Sequence, residues 1–467
     1  MNTIRWARSS VKTLSSRYPS RMVPYSISTQ QTPAKWLQRV LEDRTEPPRL
    51  YAWSLENLPK DASSIGTSSD VRRPSNEDDE RRRIYVLGVG NIGRLYSSFL
   101  AKSNPRPPIT LVVHRRDLLE LWRDQPGIEL VRNGEPERNA DFDIEWWTET
   151  KPPQGSLREP ADGARIRNLI VATKAGDALP QVDRLRRYLG SESTVAFTQN
   201  GMCKLWPPLG EAYVSARFPG GKGPKWLACV TTHGVTSLGP FRSVHASPAN
   251  VLVGTVMGGD GDTSSGSGSG SDYLAEQIIG APDLAARRVP TRELWVAQLE
   301  KLVVNAVINP LTAVLRCKNG EIFAERNDGL ADVVDMLLEE ASRTLTALVR
   351  HPSSNAMLKN EGTASGSATE ESVRKVREEL IERFSFERLK AMVYVVGAKV
   401  AENTSSMLQD VRAGKKTEIE DFNGWLVETA RYLGDEHGLP AHEKLISLVA
   451  EGKSLTRSEL SKHFRGD

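Results

Sequence analysis

Ile84-Tyr-Val-Leu-Gly88-Val89-Gly90-Asn91-Ile92-Gly93 is the stretch that decides the fold. A short β-favouring run enters a GxGxxG turn, and Arg94-Leu-Tyr-Ser-Ser-Phe-Leu-Ala-Lys leaves it with helical patterning. Each glycine has a physical task. Gly88 permits the tight turn, Gly90 lets the backbone approach a pyrophosphate, and Gly93 allows helix and strand to pack closely. The helix N-terminus then offers free N–H groups and the positive end of its dipole to the phosphates. GxGxxG alone is a weak signal, and a glycine turn without a ligand would also carry it. Flanked by strand and helix, it predicts a dinucleotide site built from Gly88, Val89, Gly90, Asn91, Ile92 and Gly93.

Outward from this turn, the runs ITLVVH, NLIVATK, STVAFTQ, LACVTTHGV and ANVLVGTV are interleaved with helical text as far as Arg288. Their Val and Ile enrichment, with helices between the first of them, predicts a largely parallel sheet. The later runs lie too close together for helices and predict antiparallel hairpins. From residue 291 long helical patterns take over, at 292–315, 330–348, 373–383, 386–403 and 417–433. The fold class is therefore an α/β Rossmann-type N-terminal domain over 84–290, followed by an all-α substrate and catalytic domain over 291–467. Two polar segments, 258–272 and 353–371, read as insertions, tolerated because loop-closure entropy grows slowly with length. In front lies an extension over 28–83. It holds a short amphipathic segment at 34–41, Pro-rich text and a charged linker ending SNEDDERRR, so folded structure is expected to begin at Ile84.

The second strand ends Thr110-Leu-Val-Val-His114-Arg115-Arg116-Asp117. An NAD-selective site carries an acidic residue near this strand end for the ribose 2′-hydroxyl, whereas arginines pair with a 2′-phosphate. Arg115 and Arg116 thus predict NADP(H), with Asp117 past the ribose. An exposed basic loop is the plainer alternative.

The 467 residues carry 62 Lys+Arg against 59 Asp+Glu, a formal net charge of +3. The excess sits at the front. Up to Leu41 there is no acidic residue, while Arg5, Arg8, Lys12, Arg17 and Arg21 lie among many serines. That composition predicts a mitochondrial transit peptide over 1–27 and a matrix location, the alternative being a basic tail with no targeting role. Without those residues the formal net charge is −2, which gives no global reason to bind nucleic acid. No apolar run reaches the roughly 18 residues of a membrane-spanning helix. Cys203, Cys229 and Cys317 are scattered without CxxC spacing, which argues against a disulfide framework or a zinc site.

In TRELWVAQLEKLVVNAVINPLTAVL, Lys301, Asn305 and Asn309 recur every fourth residue and share one helix stripe, and the positions between them, 302–304 and 306–308, are all apolar. Buried polar groups need partners, so the stripe points to a ligand; polar contact between helices would also produce it. A second cluster, AENTSSMLQDVRAGKKTEIEDFNGWLV, holds Asn403, Ser405 and Ser406. Glu418 then opens a helix, with Thr417 expected as its N-cap and Glu420 completing a capping box.

With VATKAGD, TQNGM and TTHGV lying between, the sequence from Ile84 to Val449 resembles the ketopantoate reductase (2-dehydropantoate 2-reductase) family. The resemblance implies that Lys301 is the general acid and Glu418 its companion carboxylate. It implies substrate binding by Asn305, Asn309 and Ser406, with Asn403 beside them, and places Lys174 and Asn200 at the junction of cofactor and substrate. The implied reaction is NADPH-dependent reduction of 2-dehydropantoate to pantoate, on the way to pantothenate and coenzyme A. The N-terminal extension, the two insertions and the stretch from Gln298 to Glu300 depart from the family pattern without removing any of these residues.

The chemistry agrees. A 2-keto acid needs hydride at C2 and a proton on its oxygen, and Lys301 can polarise that carbonyl and then protonate it. Glu418 would accept the C4 hydroxyl and hold the lysine in orientation, while the asparagines and Ser406 offer uncharged hydrogen bonds. The expected partner is a small-molecule 2-keto acid, with no metal and no nucleic acid; a homodimer stays open. Two alternatives remain. One is a reductase of another 2-keto acid, the other a non-catalytic mitochondrial binding protein, such as a translation factor, on the same fold.

Overall fold

In the computed structural model, which describes residues 34–59, 77–257, 272–325, 328–359 and 369–465, thirteen strands form two sheets. The first six are β1 (Tyr51–Trp53), β2 (Ile84–Leu87), β3 (Ile109–Val113), β4 (Ile128–Arg132), β5 (Glu135–Asn139) and β6 (Asp143–Thr148). There follow β7 (Asn168–Val171), β8 (Thr194–Phe197), β9 (Lys225–Thr231), β10 (Gly234–Gly239), β11 (Arg242–Ser247), β12 (Val251–Met257) and β13 (Ala286–Arg288). The larger sheet runs β1-β6-β3-β2-β7-β8-β9-β12-β13. From β6 through β9 every pairing is parallel, and β12 closes against β9 antiparallel. All residues of β2, β3, β7 and β8 are buried, which is why these strands read as unbroken apolar runs. Strand order reverses between β2 and β7, and the carboxyl ends of strands at such a reversal form a crevice for a ligand.

Seven helices accompany the sheets: α1 (Lys35–Glu42), α2 (Glu77–Arg82), α3 (Asn91–Leu100), α4 (Arg116–Asp124), α5 (Ala175–Arg184), α6 (Gly210–Arg217) and α7 (Tyr273–Gly280). The hairpin β10–β11 stays out of the main sheet and joins β4 and β5 in a second one. Arg94, 5% exposed, fastens that sheet over α3 by donating to the carbonyls of Gly239 and Arg242.

The folded chain begins well before Ile84, contrary to the sequence expectation. Helix α1 buries Leu37 and sets Trp36 against Tyr213 of α6, and Asp43 then takes the Arg217 guanidinium at 2.8 Å. Strand β1 extends the sheet antiparallel to β6, and the Leu50 N–H donates to the Tyr188 hydroxyl. Arg83, last of the charged run, is buried on Thr110 and Asp143. A three-residue strand shows no periodicity, and a basic residue buried on distant partners looks like any linker arginine.

Nine helices follow: α8 (Thr291–Leu315), α9 (Gly329–Arg350), α10 (Asn355–Leu358), α11 (Glu370–Arg383), α12 (Phe386–Lys399), α13 (Ser406–Arg412), α14 (Ile419–Tyr432), α15 (Pro440–Ala450) and α16 (Arg457–Arg465). The central α8 packs against α9, α12, α13, α14 and α15 and also reaches β9 and β12. Helix α12 stops short of the expected residue 403, because the chain turns there to give the carbonyls of Ala401 and Asn403 to the N–H groups of Gly320 and Asn319. Glu418, not Thr417, is the N-cap of α14, and among the described residues no side chain caps it. Within the second polar segment, α10 buries Leu358. Residues 1–27, and nearly all of the first polar segment, lie outside the described residues.

Candidate active site

Lys301 lies midway along α8. Its ammonium donates to Asn200 Oδ1 at 2.9 Å and to the Thr231 carbonyl at 2.5 Å. Asn200 follows β8 and Thr231 ends β9, so three elements converge at the carboxyl edge of the parallel sheet. Burial pushes the ammonium pKa down to about 8, with the field of Glu418 acting against that shift.

Two residues that sequence reasoning passed over hold this point. Gln298, 4% exposed, donates to the Gly201 carbonyl at 2.8 Å and accepts from the Trp206 indole, pinning the Asn200 turn against α8. Thr231 contributes its carbonyl, and its hydroxyl lies 2.7 Å from that of Tyr96 on α3. The signals were the departure at Gln298 and the TTHGV motif, from which no residue had been singled out.

Glu418 is 8% exposed, and its carboxyl accepts the backbone N–H of Ala175 at the start of α5. Asp421, in the first turn of α14, accepts that of Gly176. Burial raises the Glu418 pKa, and the Lys174 charge opposes the shift. No ion pair joins Glu418 to Lys301 among the described residues. The expectation that Glu418 orients the lysine is therefore corrected: Asn200 and Thr231 hold it, and Glu418 acts through its field. Lys174, N-cap of α5, spends its ammonium on Asp410 at 2.8 Å and on the Lys416 carbonyl, tying the sheet domain to the α13–α14 turn.

Asn309 is buried and its amide donates to Ser406 Oγ at 3.4 Å. Asn305, one turn nearer Lys301, is half-buried. Ser406 opens α13, whose N-cap Ser405 accepts the Leu408 N–H. Asn403 is exposed, and no side-chain contact joins it to this stripe among the described residues. It serves through its backbone, because the chain there is occupied in closing onto Asn319.

The phosphate turn has the shape a dinucleotide requires. Gly88 sits at φ +96°, and a Cβ there would come within 2.9 Å of the Ala172 carbonyl. At Gly93 a Cβ would lie 2.0 Å from the Gly88 oxygen. At Gly90 it would meet nothing within 4 Å, so this face is open where a pyrophosphate would lie. Val89, Asn91 and Ile92 flank it, half-buried. Arg115 and Arg116 are exposed where β3 ends, paired with Asp117 at 2.8 Å and Glu120 at 2.9 Å. Asp117 thus faces back toward Arg115.

His233 and His245, separate in sequence, meet with ring nitrogens 3.0 Å apart. Burial lowers both pKa values. Among the described residues no three His, Cys, Asp or Glu side chains are grouped to hold a metal ion, and no helix is long and apolar enough to cross a membrane.

Comparison with known proteins shows the family. Residues 84–258 match the family model "Ketopantoate reductase PanE/ApbA", and residues 293–453 match "Ketopantoate reductase PanE/ApbA C terminal". Ketoisovalerate reductase BEA2 of Gibberella fujikuroi is 43% identical, over 93% of this chain and 99% of that protein. The ketoisovalerate reductase of Beauveria bassiana is 40% identical, over 92% and 98%. The probable 2-dehydropantoate 2-reductase of Schizosaccharomyces pombe is 28% identical, over 75% and 91%. The crystal structure of probable 2-dehydropantoate 2-reductase panE from Bacillus subtilis superposes with a TM-score of 0.52 at 21% identity, covering 79% of this chain and all of that one. D-mandelate dehydrogenase with NADH and anilino(oxo)acetate gives a TM-score of 0.54 at 16% identity, covering 79% and 97%. These two structures share the fold.

Proposed function

This chain belongs to the ketopantoate reductase family, and from that premise we propose that it reduces 2-ketoisovalerate to 2-hydroxyisovalerate with NADPH. The family makes it a 2-keto acid reductase using a nicotinamide dinucleotide. The choice of substrate rests on the ketoisovalerate reductases, which are the more similar of the relatives and align over nearly their whole length.

One observation carries the chemistry: the Lys301 ammonium is held at the carboxyl edge of the sheet by groups that follow β8 and end β9. An ammonium has three N–H donors. Asn200 and Thr231 take two of them, which leaves one for a keto oxygen. A pKa of about 8 keeps Lys301 mostly protonated at neutral pH yet ready to give up its proton. Asn305, Asn309 and Ser406 would hold the carboxylate with uncharged hydrogen bonds. Gly88, Gly90 and Gly93 would seat the pyrophosphate, and Arg115 and Arg116 would release their own carboxylates to take a 2′-phosphate. A reduced nicotinamide dinucleotide held by this turn would provide the hydride that C2 needs.

The second reading is ketopantoate, which differs from 2-ketoisovalerate by one hydroxymethyl group. Its support is Glu418, a buried carboxyl near Lys301 that could accept the added hydroxyl. Initial rates of NADPH oxidation with both acids decide between them. We expect kcat/KM to favour 2-ketoisovalerate by at least about tenfold, the scale of one recognised group. A preference for ketopantoate would install the second reading, and no turnover of either would sink both. The acid-free N-terminus supports import into mitochondria, and a reporter fused to residues 1–27 that stays cytosolic would end that proposal.

A further inference from the structure

Pro310 stands inside α8, directly after Asn309. Proline has no N–H, so the carbonyl four residues back, that of Ala306, loses its helical donor. Ala306 is 0% exposed, so bulk solvent does not reach that carbonyl. The missing bond comes from another helix. Asn423 of α14, itself fully buried, donates its amide to the Ala306 carbonyl at 3.0 Å.

The rest of the Asn423 side chain shows what it is there for. Its second amide hydrogen goes to His442 Nδ1 at 2.9 Å, while His442 Nε2 donates to the Leu337 carbonyl at 3.1 Å. Its Oδ1 is buried and has no partner among the described residues. An unsatisfied buried acceptor is costly, so the group is oriented for the two bonds it donates. On the far side of Asn309, Thr312 Oγ1 lies 2.9 Å from the Ile308 and Asn309 carbonyls and 2.7 Å from the Ser405 hydroxyl. Helix α8 is thus gripped on both sides of Asn309, by α14 and by α13. Lys301 is held separately, by Asn200 and Thr231.

We propose that Asn423 is a positioning residue for the substrate. By taking the carbonyl that Pro310 leaves without a donor, it fixes the turn of α8 between Lys301 and Asn309. It thereby sets where Asn305 and Asn309 stand relative to the proton donor. This rests on the reading of Asn305 and Asn309 as residues that hold the 2-keto acid.

The test is a double-mutant cycle. Asn423→Leu should raise KM for the 2-keto acid by roughly tenfold, the scale of one hydrogen bond to a buried group. Because Lys301 keeps its own partners, kcat should stay within about threefold and the cofactor Kd within about twofold. Pro310→Ala restores a helical N–H to Ala306, so in that background the same substitution should cost less than about threefold in KM. Asn423→Ser, too short to reach Ala306, gives the same readout if the leucine variant does not fold. An equal KM cost in both backgrounds, or a loss shared by kcat, KM and cofactor binding, overturns the proposal.

Amide hydrogen exchange tests it without any substrate. Asn423→Leu should speed exchange over residues 307–311 and leave 295–302 unchanged, with the effect suppressed by Pro310→Ala. Unchanged exchange at 307–311 overturns the proposal as well. If the wild type reduces no 2-keto acid, the functional reading fails while the exchange cycle still decides this one.

Discussion

The proposed mechanism concentrates the chemistry at one atom of Lys301, whose behaviour is its sharpest consequence. Lys301→Ala removes the proposed proton donor, so kcat should fall by roughly 10²–10⁴, the range for a positioned acid. Cofactor binding, measured by nicotinamide fluorescence, should hardly change. Near-wild-type turnover in this variant would make the lysine structural. Its pKa near 8 also sets a pH limb. Reduction uses the protonated form, so kcat should be level below that value and decline as pH rises through it. A profile flat to pH 10 would exclude the lysine as donor. At the other end of the cofactor, replacing Arg115 and Arg116 with neutral residues should raise KM for NADPH by at least about tenfold, a loss of ~1.4 kcal/mol. NADH has no 2′-phosphate and should be almost unaffected. Equal losses for both cofactors would mean only that the loop had been damaged.

Elements position these atoms through contacts remote in sequence. Glu340 of α9 accepts the N–H groups of Ala441 and His442 and so caps α15, bringing His442 to Asn423. His442 is fully buried and neutral, its pKa pushed down to about 4 by burial. The unfolded chain takes up that proton at about 6.5. The contribution of His442 to stability is therefore complete above that value and lost as pH falls toward 4, by about 2 kcal/mol at pH 5. Urea midpoints at pH 7 and pH 5 should drop further for wild type than for His442→Gln. Glu340, whose carboxyl burial raises, is common to both chains and largely cancels. Identical drops would show that His442 does not titrate this way. Helix α14 also has a wider role: Glu418 and Asp421 rest on α5 while Asn423 rests on α8, so one helix links the sheet domain to the central helix.

The whole molecule includes an N-terminal segment that the sequence presented as a bystander. Leu37, Leu50, Trp53 and Leu58 are each at most 4% exposed. Burial of such side chains is worth about 1.5–3 kcal/mol each, a large share of a domain's net stability of roughly 5–15 kcal/mol. Deleting residues 1–33 should leave Tm and kcat essentially unchanged. Deleting residues 1–59 uncovers the edge of β6 and the Tyr213 ring, and should lower Tm by at least about 10 °C or leave the chain insoluble. Two truncated chains with the same Tm would show that this segment is dispensable.

Short-range chemistry was enough for much of this. The GxGxxG turn, the buried parallel strands, the change to helices at residue 291 and the stripe of Lys301, Asn305 and Asn309 are all written in periodicity and spacing, because neighbours in the chain create them. The three-residue β1, the buried Arg83, the His233–His245 pair and the grip of Gln298 on Gly201 leave no such trace, since each depends on segments brought together from far apart. The same holds for what steadies Lys301. One partner is the Thr231 carbonyl, which every residue type possesses, and Glu418 was expected to be the other until α5 claimed its carboxyl. Residue identity singled out Lys301 as the candidate proton donor, and packing between distant elements decided what holds it.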